Sequence, residues 1–222
     1  MAIVPEKIVP EKIVTERKPR QRNPRGQGDK LRDDIIEAAS RLLADPSSPP
    51  LTLRAVAREV GVAATSVYLH FDDMASLVLA VAERRFGELV KLQDLALEGI
   101  VDPADRVRAG CLAYCEFGLA YPGHYQVMFI TQSELLAAIP VEQMPGYEVF
   151  QQLIEEVAAC QGLAPDAQEA FLTAAIIWQQ LHGIVSLRIS RPRFPWPPLE
   201  PAVFEAVNRI LALTPSPPND RG

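Results

Sequence analysis

Residues 63–70 of this 222-residue chain combine small, hydroxyl-bearing and aromatic side chains in one short run. The outward members of the run are Ala63, Ala64, Thr65, Ser66, Tyr68, Leu69 and His70. Hydroxyl and imidazole groups donate hydrogen bonds to phosphate oxygens, and alanine methyl groups permit close approach and contact with thymine methyl groups. The run therefore suits a surface that approaches duplex DNA.

Two apolar patterns around Gly61 predict a helix-turn-helix that would position this run. The first helix has an inward stripe at i, i+3, i+4 and i+7, formed by Leu53, Val56, Ala57 and Val60. Gly61 follows, where a left-handed residue ends a helix without a Cβ penalty. The next inward positions are Val62, Val67 and Phe71. We therefore expect a recognition helix over about residues 64–71.

The residues G-V-A-A-T-S-V-Y-L-H-F, preceded by L-T-L-R-A-V-A, resemble the DNA-binding domain of the TetR family of transcriptional repressors. The resemblance implies that Tyr68 and His70 lie near DNA phosphates. It also implies base-reading roles just before them and on the preceding helix. Those base-reading positions are Ala63, Ala64, Thr65, Leu69 and Arg54.

Five further positions near the motif bear on the resemblance. Met74 stands where the family usually has a phosphate-binding lysine, so that contact is expected to be absent, and Asp72 and Asp73 add negative charge beside it. Asp73 is expected to cap the helix that begins at Met74. Thr52 is expected to cap the preceding helix and could also hydrogen-bond a phosphate, as could Ser66. The alternative is a surface without DNA, in which Tyr68 and His70 only pack and form a polar rim.

Charge is unevenly distributed along the chain. The formal net charge is −6, yet residues 17–32 hold seven basic residues against Asp29 alone. The basic residues expected to meet DNA are Arg17, Lys18, Arg20, Arg22 and Arg25. Because phosphate attraction acts over about one Debye length, a basic arm can outweigh a distant acidic body. This arm could track phosphates or enter a minor groove, or it could be only a solubilising tail.

The chain divides into four expected parts. Prolines in the repeated I-V-P-E-K segment disfavour a helix, so residues 1–28 are predicted to be a disordered arm. Residues 29–76 are the expected DNA-binding domain, residues 77–214 the ligand-binding and dimerisation domain, and residues 215–222 a flexible tail. No apolar run reaches the roughly 18 residues of a membrane span, and the start lacks a signal pattern, so we expect a cytoplasmic protein. Three cysteines, an odd number, fit a reducing compartment.

Apolar periodicity predicts an all-α fold of about nine helices without strands. Beyond the DNA-binding unit, helices are expected at about residues 74–97, 103–121, 123–131, 145–161, 165–189 and 199–213. The first helix is expected at about residues 29–44. The last two long helices would pair with their two-fold mates in a dimer.

Two motifs in the larger half resemble the regulatory domain of a TetR subgroup with a Trp-x-x-x-His-Gly signature. They are F-G-L-A-Y-P-G-H-Y-Q-V-M-F-I at residues 117–130 and W-Q-Q-L-H-G at residues 178–183. In that group this domain forms the dimer interface and often a ligand cavity. The expected cavity residues are Phe117, Tyr121, Tyr125, Met128, Phe129, Phe150, Trp178 and His182. The alternative is that these aromatic residues are only core.

The sequence thus predicts a homodimeric transcriptional regulator, most simply a repressor, that binds an inverted-repeat operator and responds to a small hydrophobic ligand.

Cys111 and Cys115 lie at i, i+4 on one helix. We expect them to serve as small buried residues and not as a thiol sensor or a metal site. Neither cofactor nor metal is expected, and no enzyme motif is present. Two alternatives remain open: a helical interaction protein that no longer binds DNA specifically, and a helical enzyme that uses the apolar cavity.

Overall fold

The computed structural model describes residues 27–45, 47–48, 50–129 and 139–213. Within them the chain forms nine α-helices and one short 3₁₀ helix, and no strand. The helices are α1 (Gln27–Ala44), α2 (Leu53–Val60), α3 (Ala64–Val67), α4 (Met74–Leu97), α5 (Pro103–Ala120), α6 (Pro122–Phe129), α7 (Tyr147–Gln161), α8 (Gln168–Ser190) and α9 (Leu199–Leu213); the 3₁₀ helix is Val141–Gln143. The all-α prediction is confirmed.

The helix-turn-helix has the local signals that the sequence predicts. The Thr52 hydroxyl oxygen accepts a hydrogen bond from the Ala55 amide at 3.0 Å, which caps α2. Gly61 ends α2 in the left-handed region, with φ of 79°. Asp73 and Ser76 form a reciprocal capping box at the start of α4. These caps fix the ends of α2 and α4 and hence the turns that flank α3.

The recognition helix is shorter than its predicted range. Regular α-helix ends at Val67, and residues 68–70 continue as turns. The His70 amide donates to the Val67 carbonyl at 2.9 Å, an i→i+3 bond that tightens the last turn. Phe71 is only 3% exposed, so the chain curls at this point to bury its ring in the core.

Two hydrophobic cores lie along the chain, and α4 contributes to both. The N-terminal core includes Leu77 and Val81 of α4, whereas Phe86 and Leu89 of the same helix belong to the C-terminal core. The domain boundary expected between residues 76 and 77 therefore falls within a helix shared by the two cores.

Helix α6 also reaches the N-terminal core, because Val127 is fully buried in it. At the start of α6, Gly123 approaches the end of α1 so closely that an added Cβ would lie 2.5 Å from the Ala44 Cβ. Only glycine allows this approach, so α6 and α1 are held in direct contact.

Ion pairs also join α4 to α1. Arg84 binds Asp33 and Glu37, and the nearly buried Arg85 binds Glu37 and Glu88. Burial raises the pKa of Glu88. A buried guanidinium is tolerated only when carboxylates compensate it, so these pairs fix the position of α1 along α4.

Helix α8 is the one described helix that is long and apolar enough to cross a membrane by length and composition. Polar residues interrupt its apolar sequence, which is why no unbroken run was expected there. One face of α8 packs on α5, α7 and α9, with Ile177 and Leu181 buried. Its other face exposes Leu172 and Ile176. In this structure α8 is therefore a core helix with a second, uncovered apolar face.

Candidate nucleic-acid interface and ligand cavity

The structure places the predicted DNA-reading residues around the packed helices α2 and α3. Tyr68 is 52% exposed and Leu69 is 81% exposed, although Val67 and Phe71 on either side are buried. The remaining exposed predicted residues are Thr52, Arg54, Ala63 and Thr65, and the half-buried ones are Ala64, Ser66 and His70. Exposing a leucine and a tyrosine costs solvation free energy unless a partner covers them, which is typical of an interaction surface.

Met74 packs against the N-terminal core, where it is half-buried. The position that usually supplies a lysine in related proteins thus contributes to folding here. Asp73 beside it caps α4, and hydrogen bonds from Ser76 lower the pKa of its carboxyl group. Its charge is therefore retained at neutral pH next to the predicted DNA-reading surface.

Arg32 is a candidate site residue that sequence reasoning counted only as charge. Its guanidinium carbon lies 5.2 Å from the centroid of the Phe71 ring, which places a cation beside the turn that follows α3. The only sequence signal was its position at the end of the basic segment. The predicted arm residues Arg17, Lys18, Arg20, Arg22 and Arg25 lie outside the described residues.

The C-terminal half contains a cavity of about 700 Å³, within the usual range for small-molecule sites. It lies among α4, α5, α6, α7 and α8 and the segment before α7. Of the predicted ligand residues, Met128, Phe129, Phe150 and Trp178 line it. Several further wall residues were not predicted from the sequence: Phe86, Gln93, Arg106, Tyr114, Tyr147 and Glu156.

The other four predicted ligand residues do not line the cavity. Phe117 is buried in the core against Tyr121, which is half exposed and stacks on His124 with 5.6 Å between ring centroids. Tyr125 and His182 lie one layer behind the wall. The Tyr125 hydroxyl is 3.0 Å from the Tyr114 hydroxyl and 2.6 Å from His182 Nδ1.

Tyr114, Tyr125 and His182 form a chain of hydrogen bonds that begins at the cavity wall, with both tyrosines buried and His182 half-buried. Burial raises the pKa of Tyr125 to about 12 and raises that of Tyr114 further. Burial also lowers the pKa of the His182 imidazole. All three groups are therefore neutral at pH 7, and the chain positions Tyr114 without carrying charge.

The thiols of Cys111 and Cys115 are buried and unreactive in the folded protein. Burial raises the pKa of Cys111, which lines the cavity, and raises that of Cys115 to about 12. Thiols with such pKa values have little thiolate at neutral pH. Among the described residues, no group of His, Cys, Asp or Glu is arranged to hold a metal ion.

We expect a thiol-alkylating reagent to label the native protein first at Cys160, which is partly exposed, and only after unfolding at Cys111 and Cys115. Peptide mass mapping after timed labelling measures this order. Labelling of Cys111 as fast as Cys160 in the folded protein would contradict the buried position of Cys111.

A helix-turn-helix followed by a helical body with a cavity defines a class of ligand-responsive DNA-binding regulators. Comparison with protein families agrees in both halves: residues 35–81 match "Bacterial regulatory proteins, tetR family", and residues 107–211 match "Tetracyclin repressor-like, C-terminal domain". The chain belongs to the TetR family of transcriptional regulators. This family membership favours a DNA-binding regulator over an interaction protein that has lost DNA binding.

Solved structures share this fold at low sequence identity. A protein of unknown function from Rhodococcus sp. RHA1 aligns with a TM-score of 0.64 and 22% identity, covering 88% of this chain and 98% of that one. The fatty acid degradation regulator FadR from Bacillus halodurans aligns with a TM-score of 0.66 and 18% identity, over 86% and 97%. The repressor MexZ from Pseudomonas aeruginosa aligns with a TM-score of 0.60 and 17% identity, over 86% and 97%.

Proposed function

We propose that the protein is a homodimeric transcriptional repressor that binds an inverted-repeat operator and is released from it by a small, mainly apolar ligand. The observation that carries this proposal is helix α6. Val127 is buried in the N-terminal core, while the adjacent Met128 and Phe129 line the cavity. One short helix is thus shared by the candidate ligand site and the candidate DNA-binding unit.

Contacts of α6 give a route by which ligand binding changes operator affinity. A ligand that displaces Phe129 moves α6, and the close contact of Gly123 with Ala44 transmits the movement to α1. Helix α4 contributes to both cores and supplies a parallel route. The ligand lowers operator affinity only if it binds more tightly to the dimer geometry that cannot span two half-sites.

On the DNA, the proposed phosphate contacts come from Thr52, Ser66, Tyr68 and His70, with the basic arm of Arg17, Lys18, Arg20, Arg22 and Arg25. The proposed base contacts come from Arg54, Ala63, Ala64, Thr65 and Leu69. Alanines in this set favour methyl contacts to thymine over bidentate hydrogen bonds. Two recognition helices would enter successive major grooves about 34 Å apart.

Dimerisation is proposed to cover the outward face of α8 together with α9. The exposed apolar side chains on that face of α8 include Leu172, Ile176 and Leu187. Pairing with the same face of a second copy would produce a four-helix interface with two-fold symmetry. This symmetry is what makes the expected operator an inverted repeat.

Selection of bound fragments from a random duplex library, at two salt concentrations, tests the proposal. Enrichment of one inverted repeat that persists at the higher salt supports it. Unselective binding that disappears with salt would show that only the basic arm holds DNA, and would overturn the proposed recognition surface.

We expect Tyr68→Phe to lower DNA affinity uniformly and Thr65→Ala to change sequence preference. Loss of the Tyr68 hydroxyl removes a phosphate contact but no cation, so affinity should fall by a similar factor on all sequences while the log–log salt slope stays unchanged. Thr65→Ala should change preference at particular base pairs, by about 1–3 kcal/mol each. Repeating the selection with each variant measures both effects. A sequence-specific change in Tyr68→Phe would contradict its assignment to phosphate.

A further inference from the structure

The cavity wall includes one ion pair, whose two charges neutralise each other. Among the described lining residues, only Arg106 and Glu156 are charged. Arg106 Nε lies 3.0 Å and 2.9 Å from the two Glu156 carboxylate oxygens, and Nη2 lies 2.5 Å from one of them. The pair contributes no net charge to the cavity.

The remaining face of the guanidinium is also occupied. Arg106 Nη1 donates to the carbonyl of Ile100 at 3.1 Å and lies 3.5 Å from that of Leu97. An arginine committed to a carboxylate and to backbone carbonyls is not free to bind the anionic group of a ligand, and breaking such a part-buried pair is costly. The cavity therefore lacks an available cation in the described part of its wall.

A second, smaller cavity of about 330 Å³ adjoins the first, and its charged wall residues are acidic. The two cavities share Phe86, Tyr147 and the chain between Met144 and Gly146. We name the smaller one the vestibule. Its described wall residues include Glu83, Glu142 and Glu148, and no lysine, arginine or histidine. All three glutamates are exposed and none forms an ion pair within the described residues.

The inner wall offers further partners for a positive or hydrogen-donating group. Its aromatic residues include Tyr114, Phe129, Phe150 and Trp178, whose ring faces carry negative potential. Gln93 lies in the wall with its amide nitrogen donating to the Gly110 carbonyl at 3.1 Å. Its amide oxygen is buried and has no hydrogen-bond partner. This unpaired acceptor belongs to a residue of the cavity wall and is a candidate partner for a ligand donor.

From this arrangement we infer that the ligand is a hydrophobic cation: an apolar body that fills the aromatic cavity and a protonated amine that lies toward the vestibule glutamates. The inference rests on the proposed function and specifies its ligand class. An apolar carboxylate would approach three uncompensated carboxylates and find no free cation, whereas an ammonium group of the same shape is attracted throughout.

Three probes with one hydrocarbon chain and different head groups test the inference: decylammonium, decanol and decanoate. Each is titrated below its micelle concentration into the full-length protein by calorimetry, with one ligand bound per chain expected. Decylammonium should bind at least about tenfold more tightly than decanoate, because three exposed charges each contribute modestly and with opposite sign for the two probes. Decanol should lie between them.

The triple variant Glu83→Gln, Glu142→Gln, Glu148→Gln should reduce the preference for decylammonium over decanoate to a few-fold while leaving decanol affinity unchanged. The matched control is Glu98→Gln, Glu116→Gln, Glu155→Gln, which removes the same charge at exposed positions outside both cavities. Equal loss of preference in both triple variants would attribute the effect to net charge and overturn the inference.

Operator release is measured separately, as the loss of anisotropy of a labelled operator duplex on adding each probe. Decanoate that binds most tightly and releases the operator would overturn the inferred ligand class while supporting the proposed function. Decylammonium that binds with the expected preference but leaves the operator bound would support the ligand class and contradict the proposed release. Absence of binding by all three probes would overturn the inference.

Discussion

Replacing Leu172 and Ile176 together with aspartate is expected to give a monomer with about 10²–10⁴-fold weaker binding to an inverted-repeat operator. Both side chains lie one turn apart on the uncovered face of α8, 59% and 43% exposed in the single chain. Regulators of this family dimerise. In the proposed interface the substitution would bury four carboxylates around the two-fold axis, and buried uncompensated charge opposes association strongly. Without the dimer, the second half-site no longer binds at high effective concentration.

The matched control for this variant is Leu92→Asp with Leu95→Asp on α4, which are 40% and 64% exposed. It changes apolar area and charge in the same way on a different helix. Light scattering coupled to size exclusion measures the mass, and fluorescence anisotropy with the selected duplex measures affinity. A dimer that survives Leu172→Asp and Ile176→Asp, or that is lost equally in the control, would show that the interface lies elsewhere.

Adding a single methyl group at Gly123 is expected to destabilise the protein by about 1–3 kcal/mol and to weaken operator binding. The new Cβ would lie 2.5 Å from the Ala44 Cβ and 3.1 Å from the Ala44 Cα and carbonyl oxygen. Since α1 and α6 are both well packed, they must separate for the methyl group to fit. Because α6 also lines the cavity, the separation changes the route proposed to couple the two sites.

A second substitution makes this prediction sharper. Ala44→Gly in the Gly123→Ala background removes the closest atom and should recover part of the lost stability, so the two changes should be non-additive in a double-mutant cycle. Gly87→Ala is the control, because its added Cβ has nothing within 4 Å and replaces glycine within α4. It should be neutral or stabilising by up to about 1 kcal/mol. Chemical denaturation measures each free energy of unfolding. Additive effects of the Gly123 and Ala44 substitutions would mean that α1 and α6 do not transmit strain.

The helices were predictable wherever local chemistry marks their ends. Helix α4 begins and ends at its predicted residues because the Asp73 cap and Gly99, which has φ of 75°, define its two ends. Helix α9 also begins at its predicted residue, Leu199. The end of α3 was not predicted, because the tightened turn before Phe71 depends on burying that ring against α1 and α4. Tertiary packing, not local propensity, sets this boundary.

Only half of the predicted ligand residues line the cavity, because tertiary packing also decides which side chains face it. Motif residues on α6 and α8 were identified from aromatic content, and Phe129 and Trp178 do line the cavity. Val107, Cys111 and Tyr114 share one face of α5 by their i, i+4, i+7 spacing, but periodicity alone does not tell a cavity face from a core face. Tyr125 and His182 belong to the same motifs as the wall residues. They nevertheless lie behind the wall, hydrogen-bonded to each other. Which aromatic side chains face empty space follows only from how the helices cross.

The burial of Val127 in the N-terminal core has a consequence for how this protein can be divided. Cutting the chain after α4 would leave the DNA-binding module with an open hole where a fully buried valine had been. Such a hole costs free energy in proportion to its volume, since the surrounding side chains relax only in part. The module is therefore not an interchangeable part: a chimera that grafts it onto another regulator must also carry α6, or supply a helix of matching shape against α1.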